Sequence, residues 1–110
     1  MPLNAENEIT LQALQEAFER VDPLFLLDVR EADELEISRF ENIVHIPLDE
    51  LCSRLGEIPK NADIVIICRT GRRSEDATTF LLERGYKKVR NMLGGMNGWS
   101  AEIDPSVQQY

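Results

Sequence analysis

Ile64-Val65-Ile66-Ile67-Cys68-Arg69-Thr70-Gly71-Arg72-Arg73-Ser74 is the stretch on which the fold turns. Its first four residues are an unbroken apolar run, as expected of a strand covered on both faces. A helical pattern begins near Glu75, with Ser74 as the expected N-cap and Glu75 and Asp76 well placed near the positive end of the helix. A thiol is therefore expected where a buried strand ends and a loop turns into a helix. Such loops and helix starts aim backbone N–H groups at one point, which binds anions and favours a thiolate over a thiol. Arg69, Arg72 and Arg73 add positive charge to the same rim, and Gly71 permits a backbone conformation that a Cβ would resist. A free cysteine taken alone is most often a small core residue. The glycine, the arginines and the strand–loop–helix setting together favour a nucleophile at the bottom of an anion-binding cradle.

Outward from this stretch, strand and helix patterns alternate. A short strand is expected at Glu8-Ile9, then a helix capped by Thr10 with Leu11, Leu14, Phe18 and Val21 on one face, ended by Asp22-Pro23. Phe25 to Val29 reads as a buried strand, and Asp33, Glu34 and Glu36 sit in a short acidic helix. Ile43 to Ile46 is a further strand, stopped by Pro47. Leu48, Leu51, Cys52 and Leu55 then mark one helical face, closed by Gly56 and Pro59. Beyond Ser74, the residues Ala77, Phe80 and Leu81 face the core, Gly85 takes the left-handed cap position, and a last strand lies around Val89. The alternation predicts an α/β fold with a mainly parallel central sheet and helices on both faces. Ligands of such sheets bind beyond the carboxyl ends of the strands. Cys68 and the segment Asp28-Val29-Arg30 both lie at that end, so they are expected to meet at one site.

The chain has 110 residues, enough for one domain over residues 1–110 with a two-sided core. A formal charge of −8 argues against nucleic acid and anionic membranes as partners. No apolar run has the length of a bilayer span and no signal pattern opens the sequence, so a cytoplasmic location is the expectation. Two cysteines sixteen positions apart with His45 as the single histidine supply no ordinary closed zinc site, and no metal, cofactor or structural disulfide is expected.

The loop from Cys68 to Ser74 resembles the active-site loop of rhodanese-like sulfurtransferases, in which a cysteine carries a persulfide sulfur. Leu27-Asp28-Val29-Arg30 followed by Glu34, Ile46-Pro47-Leu48, and Leu93-Gly94-Gly95 with Trp99 resemble further segments of the family, so the likeness covers nearly the whole chain. The run His45 to Leu51 and the tail from Trp99 to Ser106 resemble rhodanese domains fused to ubiquitin-activating-type adenylyltransferases such as MoeB. The chain departs from the family pattern before His45, where it reads Ile37-Ser-Arg-Phe-Glu-Asn-Ile-Val44. The resemblance implies a rhodanese-like fold and a thiosulfate sulfurtransferase with Cys68 as the persulfide carrier. Its donor would be a small anionic sulfur compound, and its acceptor cyanide in an assay or a thiol or sulfur-carrier protein in the cell.

In that setting the N–H groups of the 69–73 loop would hold the terminal persulfide sulfur as an oxyanion hole holds oxygen. Arg69 and Arg72 are expected at the pocket mouth, Arg73 in a mixed binding and structural role, and Thr70 as a rim hydroxyl or a conformational residue. Asp28, Arg30 and Ser74 are supporting residues, with Asp28 tying down loop N–H groups and Arg30 pairing with a carboxylate. His45 is expected to be a strand-end residue rather than a base, Trp99 a core plug, and Cys52 buried and inert on its leucine-lined face. Two other functions compete. A Cdc25-like phosphatase or arsenate reductase needs a longer cradle, whereas Cys68 and Arg73 enclose four residues. A non-catalytic docking module of the same fold typically lacks the cysteine that this chain keeps.

Overall fold

The computed structural model describes residues 5–110. Five strands, β1 (Glu8–Ile9), β2 (Phe25–Asp28), β3 (Ile43–His45), β4 (Ile64–Ile67) and β5 (Val89–Met92), form one sheet in the order β1-β5-β4-β2-β3. Every neighbouring pair is parallel. Four α-helices, α1 (Leu11–Glu19), α2 (Ala32–Ile37), α3 (Arg72–Glu83) and α4 (Gly95–Glu102), connect or follow the strands.

The central strand β4 explains the two-sided core. Side chains alternate along a strand, so Ile64, Ile66 and, past the strand end, Cys68 pack with Ala77 and Leu81 of α3. Val65 and Ile67 point the other way, into a second cluster with Leu11 and Leu14 of α1 and Met96 and Trp99 of α4. The four residues of β4 are fully buried, as a strand covered on both faces requires. No helix among the described residues is long and apolar enough to cross a membrane.

Thr10 caps α1 as expected, its Oγ1 accepting the Ala13 N–H at 3.1 Å. Val21 does not extend the apolar face of that helix. It follows the C-cap Arg20, is 84% exposed, and has a φ of 57°. The N–H groups of Val21 and Asp22 reach back to the carbonyls of Phe18 and Ala17 at 3.1 and 3.0 Å, so a valine occupies the left-handed closing position usually given to glycine. The expected helix at Leu48–Leu55 is instead a pair of short 3₁₀ turns, Leu48–Glu50 and Cys52–Glu57, with a kink at Arg54. At three residues per turn Leu48 and Leu51 face inward while Cys52 rotates out. Leu51 is buried and Cys52 is exposed, which corrects the expectation of a buried, inert Cys52.

Trp99 is a core residue, 6% exposed, and meets Phe18 and Phe40 edge-on at 5.6 and 5.0 Å. Phe40 belongs to the 37–44 connection, so this aromatic trio anchors the segment that departs from the family pattern.

Candidate active site

The first surprise at Cys68 is the helix start. α3 begins at Arg72, with Gly71 as N-cap in the left-handed region at φ 100°. Ser74 is therefore not the cap. It lies in the first turn, is fully buried, and turns its hydroxyl inward. The left-handed step at Gly71 folds the chain into the helix earlier than the side-chain pattern suggests, and aims the Gly71 N–H at the Cys68 sulfur, 3.0 Å away. The Cys68 side chain is almost wholly buried, at the floor of the loop rather than on its rim.

Two carbonyls of the loop are held away from the sulfur. The Cys68 and Arg69 carbonyls accept the N–H groups of Met96 and Asn97 at 2.9 and 3.0 Å. These amides belong to the first turn of α4, where N–H groups lack intrahelical partners. The contact demands glycine at position 95: a Cβ there would lie 2.5 Å from the Arg69 carbonyl carbon and oxygen.

Beneath the sulfur is a polar chain. The Ser74 hydroxyl lies 3.2 Å from Cys68 Sγ and donates to Asn91 Oδ1, while Asn91 Nδ2 donates to the Gly71 carbonyl at 3.1 Å. A hydroxyl has one proton to give: beside a Cys68 thiol it goes to Asn91 and the Ser74 oxygen accepts from sulfur, and beside a thiolate the hydroxyl can turn and donate to sulfur instead.

The three arginines differ. Arg73 makes a two-point ion pair with Glu34 of α2, at 2.6 and 2.7 Å. Hydrogen bonds from Arg73 outweigh partial burial and, with those from Tyr110 and the Glu31 backbone, hold the Glu34 carboxyl down at about 2. The same pairing raises Arg73 above the ordinary guanidinium value. Arg69 and Arg72 are exposed and have no carboxylate partner among the described residues. Thr70 is exposed at the crest of the loop.

Asp28 and Arg30 are fully buried and form a closed pair, with Arg30 Nε and Nη2 donating to the two Asp28 oxygens at 2.9 and 2.8 Å. The remaining N–H groups of Arg30 go to the Ser38 and Glu34 carbonyls and to the Tyr110 hydroxyl, and its backbone N–H goes to Asp28 at 3.1 Å. His45 Nε2 donates to the Arg30 carbonyl at 2.7 Å, a strand-end contact. The pair thus ties the end of β2 to α2, and α2 reaches the Cys68 loop through Glu34 and Arg73.

Of the residues expected at one site, Gly71 and Ser74 meet the Cys68 sulfur directly, whereas Asp28 and Arg30 reach the loop only through Glu34, Arg73 and Tyr110. Sequence reasoning missed Asn91, Asn97 and Tyr110. Asn91 left a faint signal, a polar residue inside a short apolar strand. Gly95 stands out in the sequence as one of a glycine pair, and only its contact with Arg69 identifies it as the seat of the loop. Nothing in the sequence signalled Tyr110, whose place depends on the path of the tail.

YrkF of Bacillus subtilis, named as a candidate sulfur carrier protein, is 40% identical over 97 residues, covering 88% of this chain and 52% of that protein. The chain therefore spans about half the length of that relative. A protein of Allochromatium vinosum named sulfurtransferase is 33% identical over 101 residues, covering 92% of this chain and 94% of its own. The crystal structure of a rhodanese-related protein from Thermoplasma volcanium superposes with a TM-score of 0.80 at 29% identity, covering 88% of this chain and 93% of that one. A family model described as the rhodanese-like domain matches residues 10–102, a span that takes in the Cys68 loop, its Ser74–Asn91 floor and the α4 seat. By sequence and by fold, this chain belongs to the rhodanese-like domain family.

Proposed function

We propose that the chain is a sulfurtransferase in which Cys68 carries sulfur as a persulfide. The thiolate attacks the outer sulfur of thiosulfate; a new S–S bond forms, the old one breaks, and sulfite leaves with the electron pair. Cyanide or a thiolate acceptor then takes the terminal sulfur and returns Cys68 to its thiolate. Neither step needs a proton donor of high pKa, so the absence of a histidine contact at the sulfur is no obstacle. The observation that carries the reading is the Gly71 N–H, 3.0 Å from Cys68 Sγ at the start of α3. A preorganised donor and a positive helix end are suited to negative charge that resides on sulfur before and after transfer.

A phosphatase of related fold fits less well. The four-residue spacing leaves little room for a tetrahedral oxyanion, and Arg73 is already engaged by Glu34. For the acceptor, persulfide chemistry asks for a thiophile, either a small thiol or a sulfur-carrier protein, and this chain's likeness to half of a Bacillus protein named as a candidate sulfur carrier supports a place in protein-borne sulfur traffic.

The test is turnover of thiosulfate with cyanide, set beside hydrolysis of an aryl phosphate. Thiocyanate should form in the parent and vanish in Cys68→Ser. Phosphate release by the parent that is lost in the same variant would sink the sulfur assignment.

A further inference from the structure

Tyr110 has no role in the chemistry above and lies beyond residues 10–102 that the family model matches, yet it is held at the site from several sides. Its backbone N–H donates to Asn97 Oδ1 at 3.1 Å and its carbonyl accepts from Asn97 Nδ2 at 3.2 Å. Asn97 is the residue whose own N–H holds the Arg69 carbonyl, so one side chain and its backbone join the tail to the Cys68 loop. Upstream, Ser100 donates to the Val107 carbonyl and Val107 packs on the core. At the other end the Tyr110 hydroxyl accepts from Arg30 Nη1 at 3.0 Å and donates to Glu34 Oε2 at 2.7 Å. Between these anchors the ring faces the Arg69 guanidinium, 5.2 Å from its centroid.

The Arg30 guanidinium lies 5.9 Å from the same ring centroid, so it is the charge balance, not the ring contact, that separates Arg69 from its neighbours. Arg30 and Arg73 are paired with carboxylates, which offset their charge. An aromatic face holds a guanidinium without supplying a counter-charge. Arg69 is consequently both positioned and uncancelled, whereas exposed Arg72 has no comparable contact among the described residues. Burial, with the hydrogen bond to Glu34, raises the Tyr110 phenol, so it remains a neutral donor across the neutral pH range.

We propose that Tyr110 is a positioning residue for substrate charge: its ring holds the Arg69 guanidinium at the rim of the Cys68 loop, and this selects anionic over neutral sulfur electrophiles. The proposal deepens the sulfurtransferase reading and rests on it for the identity of the donor, but charge selection at Cys68 is measurable without sulfur transfer.

In the full chain carrying Cys52→Ala, so that Cys68 is the one thiol, the rates of alkylation by iodoacetate and iodoacetamide are compared at low salt. Their ratio reports the local field with the nucleophile held constant. Tyr110→Leu should lower the ratio about three- to tenfold, the effect of displacing one unit charge by several ångströms in a partly solvated site. Arg69→Ala should lower it equally, and the double variant should lose no more than either single one. Tyr110→Phe keeps the ring and should keep the ratio, which separates positioning of Arg69 from a general structural loss. In thiosulfate turnover the Tyr110→Leu effect should fall on KM rather than kcat. An unchanged ratio in Tyr110→Leu, or losses that add in the double variant, would overturn the proposal. Absence of thiosulfate turnover in the parent would instead overturn the sulfur donor while the alkylation ratio still decided the role of Tyr110.

Discussion

Arg73 in the first turn of α3 grips Glu34 of α2 at two points, 2.6 and 2.7 Å, across thirty-nine positions of sequence. The pair closes the Cys68 loop against the end of β2, because Glu34 also receives the Tyr110 hydroxyl and Arg30 donates to its carbonyl. It also divides the labour among the arginines: Arg73 spends its charge on Glu34, and the free positive charge at the loop belongs to Arg69 and Arg72.

An acid-dependent stability follows from Glu34. The folded protein keeps this carboxyl ionised to about 2, whereas the unfolded chain protonates near 4.5. Between those values the unfolded state binds more protons, so the contribution is complete above pH 4.5 and is lost as pH falls toward 2. The shift sets a ceiling of about 3 kcal/mol, and screening of a one-third exposed Arg73 reduces the expected effect to ~1–2 kcal/mol. Urea midpoints measured against pH should show a fall in this window that Glu34→Gln largely removes. Parallel curves for the two proteins would contradict it.

The uncancelled arginines should govern donor affinity. Arg69→Ala or Arg72→Ala should raise the KM for thiosulfate about three- to tenfold at low ionic strength, with the difference shrinking as salt screens the field. Arg73→Ala should act differently, lowering stability by releasing half-buried Glu34 from its partner. Equal, salt-independent KM values for parent, Arg69→Ala and Arg72→Ala would make both side chains structural.

Gly95 is the seat of the loop. A methyl group placed 2.5 Å from the Arg69 carbonyl, at a backbone φ of 61°, must push the loop off α4. Gly95→Ala should cost roughly 2–4 kcal/mol, combining overpacking with left-handed strain, and should reduce sulfur transfer in whatever protein remains folded. Gly56→Ala, with no atom within 4 Å of the new Cβ, is the matched control and should change neither. Melting temperatures and turnover of the two variants decide the matter.

The exposure of Cys52 sharpens the test of the nucleophile. If access alone decided reactivity, thiosulfate would mark exposed Cys52 before buried Cys68. The cradle predicts the reverse: one sulfur atom on the Cys68 peptide, none on Cys52, and removal by cyanide. Cys52→Ala should leave turnover near that of the parent, with a stability change within about 0.5 kcal/mol, as for a surface site. Peptide masses before and after cyanide give the answer, and sulfur on Cys52 would refute the mechanism.

The sequence by itself determined the parallel α/β sheet, the position of Cys68 at a strand end, and the arginine-rich loop. These rest on local signals: apolar runs of strand length alternating with helical spacing, and a glycine that frees the backbone beside the cysteine. Boundaries failed where a local pattern was ambiguous. Leucines spaced for an α-helix folded as 3₁₀ turns and turned Cys52 outward, and Gly71 rather than Ser74 opened α3. Only the tertiary structure decided the partners of the site. Glu34 with Arg73, Ser74 with Asn91, Gly95 with Arg69 and Tyr110 with Arg69 are each joined across at least seventeen positions. Long-range pairs such as these depend on how the strands order themselves and where the tail returns. That order is set by the packing of both sheet faces together, which no local stretch of sequence encodes.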